Sequence, residues 1–406
     1  VTAITITNSR GVMPLLTTEN QHGVNQPVAW VHLHHILHNF RIAQSLAPQS
    51  NVMAVIKADG YGHGAQAIAN ILEEADNFAV ARVHEAITLR QAGCNKPIVV
   101  LEGFLGLQEY NLCLQHSLVP VVHCVEQLKL LASFEENSSK SVSAEQQKLE
   151  ANQQQGASFK SMPVWIKLDS GMHRLGFDEK QLSQSVSKLN QLNIVGVMSH
   201  MANADNQLHP LNEIQLNHFN SMLRNFAENT EQALANSAAT MQLQMSHLQW
   251  IRPGIMLYGS SGSADSPSAS LMKDGQQLLP GMTLSAPVIS TRQIRAGEEI
   301  GYGSIWRAEI DCRVAVVGLG YGDGYPREMP QGTPVLVNGQ RRRLVGRVSM
   351  DLLYVLLAAD DQVEPGHHIQ FWGNDLPIDE IAEHAGTIAY TLMTGLTGRV
   401  KRIYQN

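Results

Sequence analysis

Apolar and polar positions alternate in blocks along the first two thirds of the chain. Between Val52 and Tyr258, stretches of helical character separate short apolar runs, at 52–56, 78–82, 97–101, 118–122, 163–168, 194–199, 232–235 and 250–259. Short buried strands alternating with helices are typical of a parallel sheet. Eight β/α units over roughly 200–250 residues predict a closed (β/α)8 TIM-like barrel, a fold whose active sites lie at the C-terminal ends of the strands.

The pattern changes after a Ser-rich stretch at 260–269. Strand-like runs separated by turns follow, and the pair Asn338-Gly339 between two of them is a strong hairpin signal. A helical segment near 378–398 closes the chain. We therefore predict three parts: an N-terminal extension at 1–27, a barrel domain at 28–260 and a mainly β C-terminal domain at 261–406.

A polar, Gln-rich and Ser-rich segment at 137–160 interrupts the barrel pattern. It has too few apolar residues to order on its own, and we interpret it as a surface insertion between the fourth and fifth strands.

Composition narrows the class of protein. The 406 residues carry a formal net charge of -7, which predicts no extended basic face and disfavours a nucleic-acid partner. Four cysteines at irregular spacing predict neither a zinc ribbon nor a disulfide framework. No run is long enough to cross a bilayer, and the N-terminus lacks the pattern of a signal peptide. We expect a cytoplasmic protein, or a periplasmic one if a signal has been removed.

Lys57 is the first candidate for chemistry, because it ends the first apolar run and is followed by ADGYGHG. An amine at a barrel mouth could form a Schiff base, and desolvation or nearby cations would lower its pKa toward the neutral nucleophile that this reaction needs. A lone lysine at a strand end more often simply reaches water.

Polar residues at four other strand ends favour the catalytic interpretation of Lys57 over that of a lysine that only reaches water. They are Arg174 after the fifth strand, His200 and Asp205 after the sixth, Asn236 and Ser237 after the seventh, and Arg252 in the eighth. If the barrel is correct, these side chains meet at one mouth and form a site.

Several motifs resemble those of bacterial alanine racemases, in the order of that family. They are NVMAVIKADGYGHG, KLDSGMHRLGF, NSAA, WIRPGIMLYG, GYGSIW, GYGDGYPR and VGRVSMD, and the resemblance runs from about residue 28 to the end. It implies a barrel plus a β domain, pyridoxal 5'-phosphate as cofactor, an amino acid substrate, and a head-to-tail homodimer with composite active sites.

The resemblance also implies a set of cofactor-binding residues. Lys57 resembles the lysine that holds the cofactor covalently, and His200 resembles a histidine that hydrogen-bonds to the arginine facing the pyridine nitrogen, here Arg252. Asn236 is assigned to the same set. The residues that resemble the phosphate-binding group are Tyr61, Ser237, Gly254, Ile255 and Tyr390. Hydroxyls and backbone N–H groups at a glycine-containing turn suit a phosphate.

Arg252 bears on the reaction type. Arginine does not readily give a proton to the pyridine nitrogen, so the ring stays a weaker electron sink than it would beside a carboxylate. A less delocalised carbanion has fewer routes into transamination, which favours racemisation and disfavours a related decarboxylase.

Racemisation needs one proton-transfer group on each face of the substrate α-carbon. Lys57 supplies one face, and Tyr302 resembles the tyrosine that a neighbouring subunit contributes to the other. Taken alone, Tyr302 would be interpreted as a packed aromatic residue of the β domain.

The remaining residues carried over by resemblance concern substrate. Arg174 and Met350 resemble groups that receive the substrate carboxylate, and Asp351 a partner that orients them. Lys167 resembles a lysine that is carbamylated in several family members, with a salt-bridged surface lysine as the alternative. The residues that resemble those outlining the route of substrate entry are Asp205, Arg327 and Arg347, for which solvent ion pairs are the alternative.

Two departures and two alternatives stand beside this prediction. Ser349 stands where many relatives carry cysteine, and the insertion at 137–160 is atypical. A broad-specificity or serine racemase on the same scaffold stays open, as does a non-catalytic protein that binds pyridoxal phosphate. The histidines of WVHLHHILHN match no motif, and we predict no metal site there.

Overall fold

The structure, a computed structural model, describes residues 25–131, 162–262 and 276–405. Most of the predicted extension at 1–27 and the whole insertion predicted at 137–160 lie outside these residues. The described chain divides into two compact units: Phe40–Leu257, here the barrel unit, and the residues up to Asn39 and from Tyr258 onward, here the sheet unit.

The barrel unit contains a closed barrel of eight parallel strands. After β1 (Val28–His32) and a helix at Leu33–Leu46, the barrel strands are β2 (Asn51–Val55), β3 (Asn77–Val80), β4 (Ile98–Val100), β5 (Val119–Val122), β6 (Pro163–Lys167), β7 (Asn193–Met198), β8 (Glu231–Ala233) and β9 (Trp250–Ile251). Each strand pairs with the next, and β9 pairs with β2 to close the ring. All eight predicted strands are confirmed, including the weak seventh one.

Helices between the strands surround the barrel. In the barrel unit they are Ala65–Ile71, Val83–Gln91, Gly106–Gln115, Glu179–Leu189, Leu211–Leu223 and Ser237–Gln242, and a short left-handed turn at Lys57–Tyr61 precedes the first of them. Within the described ranges, no helix combines the length and apolar character that a bilayer span requires.

The barrel interior is filled by side chains at one end. Trp165 of β6 is buried and meets Trp250 of β9 edge to face, with ring centroids 6.0 Å apart. These strands are not neighbours, so the contact crosses the interior. A Cβ at Gly196 of β7 would overlap the Trp165 indole, so glycine makes room for this tryptophan.

The sheet unit is mainly β, as predicted. Its strands are β10 (Met282–Ile294), β11 (Glu299–Ile300), β12 (Trp306–Arg307), β13 (Cys312–Val317), β14 (Pro334–Val337), β15 (Gln340–Val345), β16 (Leu353–Leu357), β17 (His368–Trp372) and β18 (Lys401–Gln405), with two helices at Ile378–His384 and Ala389–Gly395. The main sheet has the order β13-β16-β15-β14-β17-β10-β1-β18, and β10 also pairs with β13.

The first strand of the chain belongs to this sheet. β1 pairs antiparallel with β10 and parallel with β18, so residues 28–39 lie in the sheet unit, although the sequence analysis placed them with the barrel. Periodicity along the chain identifies a strand but does not reveal which distant strand it pairs with.

The predicted hairpin at Asn338-Gly339 is confirmed. β14 and β15 pair antiparallel through Val337 and Gln340, and the two residues between them have φ of 49° and 77°. Two successive positive φ values are what a type I′ turn requires, and Asn-Gly adopts them at low cost.

The histidines near the N-terminus have structural contacts. His32 bonds to the Thr283 hydroxyl, and the rings of His35 and His38 bond to backbone carbonyls at Pro280 and Gln277. These bonds hold residues 32–38 against β10 and the segment that precedes it.

A buried carboxyl group holds the segment that follows the barrel. Asp379, only 6% exposed, accepts a hydrogen bond from the Ser260 hydroxyl at 2.6 Å. Burial raises the pKa of Asp379 from its ordinary 3.8 to about 6, although the bonds from Ser260 and Ser261 oppose the shift.

Candidate functional site

Lys57, the second residue after the end of β2, begins an unusual turn. Ala58, Asp59, Gly60 and Tyr61 have φ between 52° and 60°, and Gly62 follows at 80°. Left-handed backbone costs roughly 1–2 kcal/mol at each residue with a Cβ, so contacts from outside must hold this segment. Lys57 could be predicted from the sequence, whereas the turn could not.

Two carboxylates supply those contacts. Glu85 accepts hydrogen bonds from the backbone N–H groups of Ala58 at 2.6 Å, Ala81 at 2.8 Å and Arg82 at 2.9 Å. At the other end of the turn, Asp59 accepts from the N–H of Ala65 at 2.8 Å.

The turn delivers Tyr61 to the residues that follow the eighth strand. A Cβ on Gly254 would lie 2.5 Å from the Tyr61 hydroxyl oxygen, so only glycine permits this approach. Ser237 Oγ accepts from the N–H groups of Gly254 at 2.8 Å and Met256 at 3.3 Å. Tyr61, Ser237 and Gly254, predicted as phosphate ligands, therefore meet, with Ile255 next in the chain.

Asn236 and His200 lie beside this corner. Asn236 caps the helix Ser237–Gln242 by accepting from Ala239 N–H, and its Nδ2 donates to Met201 O at 3.0 Å. The same Nδ2 lies 3.3 Å from His200 Nε2. Since the cap fixes the amide orientation, Asn236 holds the His200 loop against the start of that helix.

Arg252 is buried at the end of β9. Its Nη2 donates to Ser199 O at 2.5 Å and lies 3.4 Å from His200 Nδ1, whereas Nη1 has no hydrogen-bond partner among the described residues. Burial lowers the pKa of Arg252 to about 10, which leaves it charged at neutral pH. A buried, charged donor without a partner is costly and marks a place for an acceptor.

Positive charge accumulates at this mouth. Burial lowers the pKa of Lys57, and the Arg174 charge adds to the effect. Burial, with help from Arg252, Arg174 and Lys57, lowers the pKa of Lys167 to about 8. Burial and the same cations hold the pKa of His200 well below its usual value, so it is neutral. The cluster favours anionic ligands and a neutral amine.

Arg174 is carried by a closed loop after β6. The N–H of Phe177 donates to Lys167 O, and the N–H of Asp169 donates back to Phe177 O. Asp169 Oδ1 accepts from the N–H groups of Gly171 and His173 inside the loop. Arg174 is exposed, and its charge reaches both lysines.

In the sheet unit, Tyr302 is the most prominent candidate. Its side chain is 72% exposed on a short 3-10 turn, Tyr302–Ser304. Gly301, Gly303 and Ser304 all have positive φ, so the turn is tightly defined. A Cβ on Gly301 would lie 3.7 Å from Arg347 N, which places the half-buried Arg347 next to this turn.

The motifs GYGDGYPR and VGRVSMD lie against each other. The N–H of Tyr321 donates to Ser349 O and that of Gly322 to Met350 O. Met350 is 53% exposed, and Asp351 forms an ion pair with Arg399 at 2.7 Å. A Cβ on Gly320 would overlap Met350 O, so this glycine allows the close approach of the two backbones.

The other predicted residues are dispersed. Asp205 lies exposed in the turn after β7 of the barrel unit. In the sheet unit, Arg327 is exposed, and Tyr390 is half-buried in the helix Ala389–Gly395.

Three residues that hold site residues in place were not predicted from the sequence. Glu85 could have been noticed as the acid in the first turn after the second barrel strand, where a glutamate caps a helix. Arg399 and the buried Gln215, which bonds to His200 O and Ala202 N, carry no pattern that would reveal them.

Comparison with known proteins decides the family. The sequence profile of the alanine racemase N-terminal domain matches residues 31–262, and that of the alanine racemase C-terminal domain matches residues 281–404. The chain belongs to the alanine racemase family. An alanine racemase of Shewanella woodyi is 41% identical over 378 residues, or 92% of this chain and 98% of the relative.

Solved alanine racemases have the same fold. A biosynthetic alanine racemase from Pseudomonas aeruginosa is 39% identical and superposes with a TM-score of 0.81, covering 94% of this chain and 100% of the other. An alanine racemase from Bartonella henselae, solved with covalently bound pyridoxal phosphate, is 26% identical with a TM-score of 0.79 over 94% and 99% of the two chains.

Proposed function

We propose that this chain is a pyridoxal phosphate-dependent racemase that interconverts L-alanine and D-alanine. The observation that carries the proposal is the barrel mouth, where a lysine of lowered pKa lies among buried cations and the buried Arg252 Nη1 has no partner among the described residues. Membership in the alanine racemase family supplies the substrate class.

The residues of the mouth fit the cofactor. Lys57 would hold it covalently, and Arg252 Nη1 would donate to its ring nitrogen, which satisfies a donor that otherwise stays costly. The corner of Tyr61, Ser237 and Gly254 would receive the phosphate, together with Ile255 and Tyr390. When bound, the cofactor acidifies the hydrogen on the α-carbon of an amino acid.

Proton transfer then needs two residues. Lys57 removes or returns the proton on one face, since burial and Arg174 favour its neutral form. We propose that Tyr302 of the partner subunit acts on the other face, because an exposed phenol on a short turn suits a role toward another molecule. A homodimer with composite sites follows from this assignment.

The substrate carboxylate binds to Arg174 and Met350, with Asp351 orienting the network around both. Lys167 has a supporting role. Its lowered pKa gives a fraction of neutral amine, the form that adds carbon dioxide to become a carbamate with loss of one proton. The carbamate would place a negative charge beside Arg174. Asp205, Arg327 and Arg347 outline the route of substrate entry.

The first experiment combines an assay with chemical trapping. Purified protein is assayed with both enantiomers of alanine, serine and lysine, with and without added pyridoxal phosphate. We expect cofactor-dependent racemisation of alanine, and borohydride reduction should fix the cofactor to the peptide that contains Lys57. Lys57→Ala should abolish both, while the matched control Lys188→Ala, at an exposed helix position, should change neither.

Two results would contradict the proposal. Attachment of the cofactor to another lysine would overturn the assignment of Lys57. Cofactor binding without turnover of any of the amino acids would instead identify a pyridoxal phosphate carrier, whereas preference for serine or lysine would retain the mechanism and change the substrate.

A further inference from the structure

The left-handed segment after Lys57 needs an anchor, and Glu85 is that anchor at its first residue. Ala58 has φ 52° and ψ 49°, a conformation that its Cβ disfavours. Its N–H is held at 2.6 Å by Glu85 Oε1. The bonded peptide joins Lys57 to Ala58, so this carboxylate fixes the backbone that carries the reactive side chain.

The second oxygen of Glu85 ties the same carboxylate to a rigid element. Oε2 accepts from the N–H groups of Ala81 and Arg82, where β3 ends and the helix Val83–Gln91 begins. Glutamate at the third helical position commonly bonds back to the start of its own helix. The additional bond to Ala58 connects two neighbouring strand ends through one side chain.

Glu85 also contributes charge at the mouth. Burial and the Arg174 charge lower the pKa of Lys57, whereas the charges of Glu102 and Glu85 raise it. On the facing strands, the Lys57 charge contributes to the lowered pKa of Lys167 and to that of His200, which is neutral. Removal of the Glu85 charge should therefore lower the pKa of Lys57 further.

We infer that Glu85 is a positioning residue for Lys57, which holds the first left-handed peptide of the turn and so directs the lysine toward the cofactor. The inference deepens the proposed function and rests on it for the identity of the cofactor. Its two consequences are separable, because the hydrogen bonds act on geometry and the carboxylate charge acts on protonation.

Three variants of the full chain test the inference. Glu85→Gln removes the charge and leaves one acceptor for three N–H groups. Glu85→Asp keeps the charge but is one methylene shorter, so it can still cap its helix without reaching Ala58. The matched control is Glu109→Gln, because Glu109 caps the helix Gly106–Gln115 through Leu105 N–H at 2.6 Å and makes no described contact with the Lys57 turn.

Two readouts that do not need turnover are measured. The first is the pKa of Lys57 in cofactor-free protein, obtained from the pH dependence of acylation at each lysine peptide by mass spectrometry, with Lys188 as internal reference. The second is the Kd for pyridoxal phosphate from absorbance titration. Thermal unfolding and circular dichroism check that each variant is folded.

We expect Glu85→Gln to lower the Lys57 pKa and to raise the Kd about tenfold, the size expected for one lost hydrogen bond to a charged acceptor. Glu85→Asp should raise the Kd while leaving the pKa close to that of the parent, and Glu109→Gln should leave both unchanged. If Glu85→Gln does not fold, the Kd of Glu85→Asp decides.

The inference is overturned if both Glu85 variants match Glu109→Gln in pKa and in Kd, because Glu85 would then be an ordinary helix cap. That result is distinct from failure of the proposed function. If the parent protein did not racemise alanine, the Lys57 titration would still report whether Glu85 controls this lysine.

Discussion

The candidate residues at the barrel mouth and those in the loops of the sheet unit differ in how far their side chains are buried. In the barrel unit, Arg252 and Lys167 are buried and held by backbone geometry, and their charges lower the pKa of neighbouring groups. In the sheet unit, Tyr302 and Met350 are exposed on tight turns. Burial of like charges is costly unless a ligand offsets it, whereas exposed side chains on rigid turns incur no such cost.

This contrast indicates a division of labour. The barrel unit provides a preorganised cluster of cations, which suits an anionic cofactor. The sheet unit presents groups outward, which suits contact with another molecule. If the two regions differ in this way, substitutions in the sheet unit should affect turnover, and substitutions in the barrel unit should affect cofactor binding.

The largest effect is expected from Tyr302→Phe. Loss of a proton-transfer group commonly reduces turnover by about 10²–10⁴-fold, while the cofactor absorbance should persist because the barrel unit is untouched. Steady-state racemisation and absorbance spectra of the holoenzyme measure both, with Tyr404→Phe, at another partly exposed tyrosine, as control. Near-normal turnover would remove Tyr302 from the mechanism.

A mixture of two inactive variants tests whether the exposed tyrosine acts on another chain. Lys57→Ala and Tyr302→Phe chains that exchange subunits should form hybrids with one intact site, so about a quarter of all sites should regain activity. Activity after denaturation and joint refolding is the measurement, and each variant refolded alone is the control. No recovery despite demonstrated hybrids would rule out a composite site.

A smaller effect is expected inside the barrel unit. The Cβ of Gly254→Ala would press on the Tyr61 hydroxyl, and such overpacking costs about 1–3 kcal/mol, which corresponds to an increase of roughly 5–150-fold in the Kd for pyridoxal phosphate. Gly398→Ala, where no atom lies within 4 Å, is the matched control. An unchanged Kd would show that this corner does not receive the phosphate.

The smallest effect concerns stability rather than activity. The folded-state pKa of Asp379 is raised, so its ionisation destabilises the fold as the pH rises from about 4 to about 6, by an amount on the order of 1–3 kcal/mol. Asp379→Asn removes this ionisation and keeps an acceptor for Ser260. Its Tm relative to the parent should be higher at pH 7 than at pH 4, and a difference independent of pH would contradict the prediction.

The sequence predicted those features that local patterns encode. Buried strands produce apolar runs, so all eight barrel strands could be located, and with them the strand ends that carry Lys57, His200 and Arg252. The hairpin at Asn338-Gly339 could be placed because its turn depends on those two residues alone.

Features that depend on distant partners could not be predicted. The pairing of β1 with β10 and β18 joins segments more than 250 residues apart. The left-handed turn after Lys57 is held by a hydrogen bond to Glu85, which belongs to the next β/α unit. Asp351 is likewise held by its ion pair with Arg399. No periodicity reports such contacts, because they arise only when the chain has folded.

The pair Trp165 and Trp250 determines which end of the barrel interior is filled by side chains. Trp250 begins its strand, and its indole N–H donates to Glu231 at the start of β8, so the edge-to-face indoles lie near the rim where the strands begin. The barrel interior is therefore filled by side chains at the end opposite to Lys57, which follows the C-terminal end of β2.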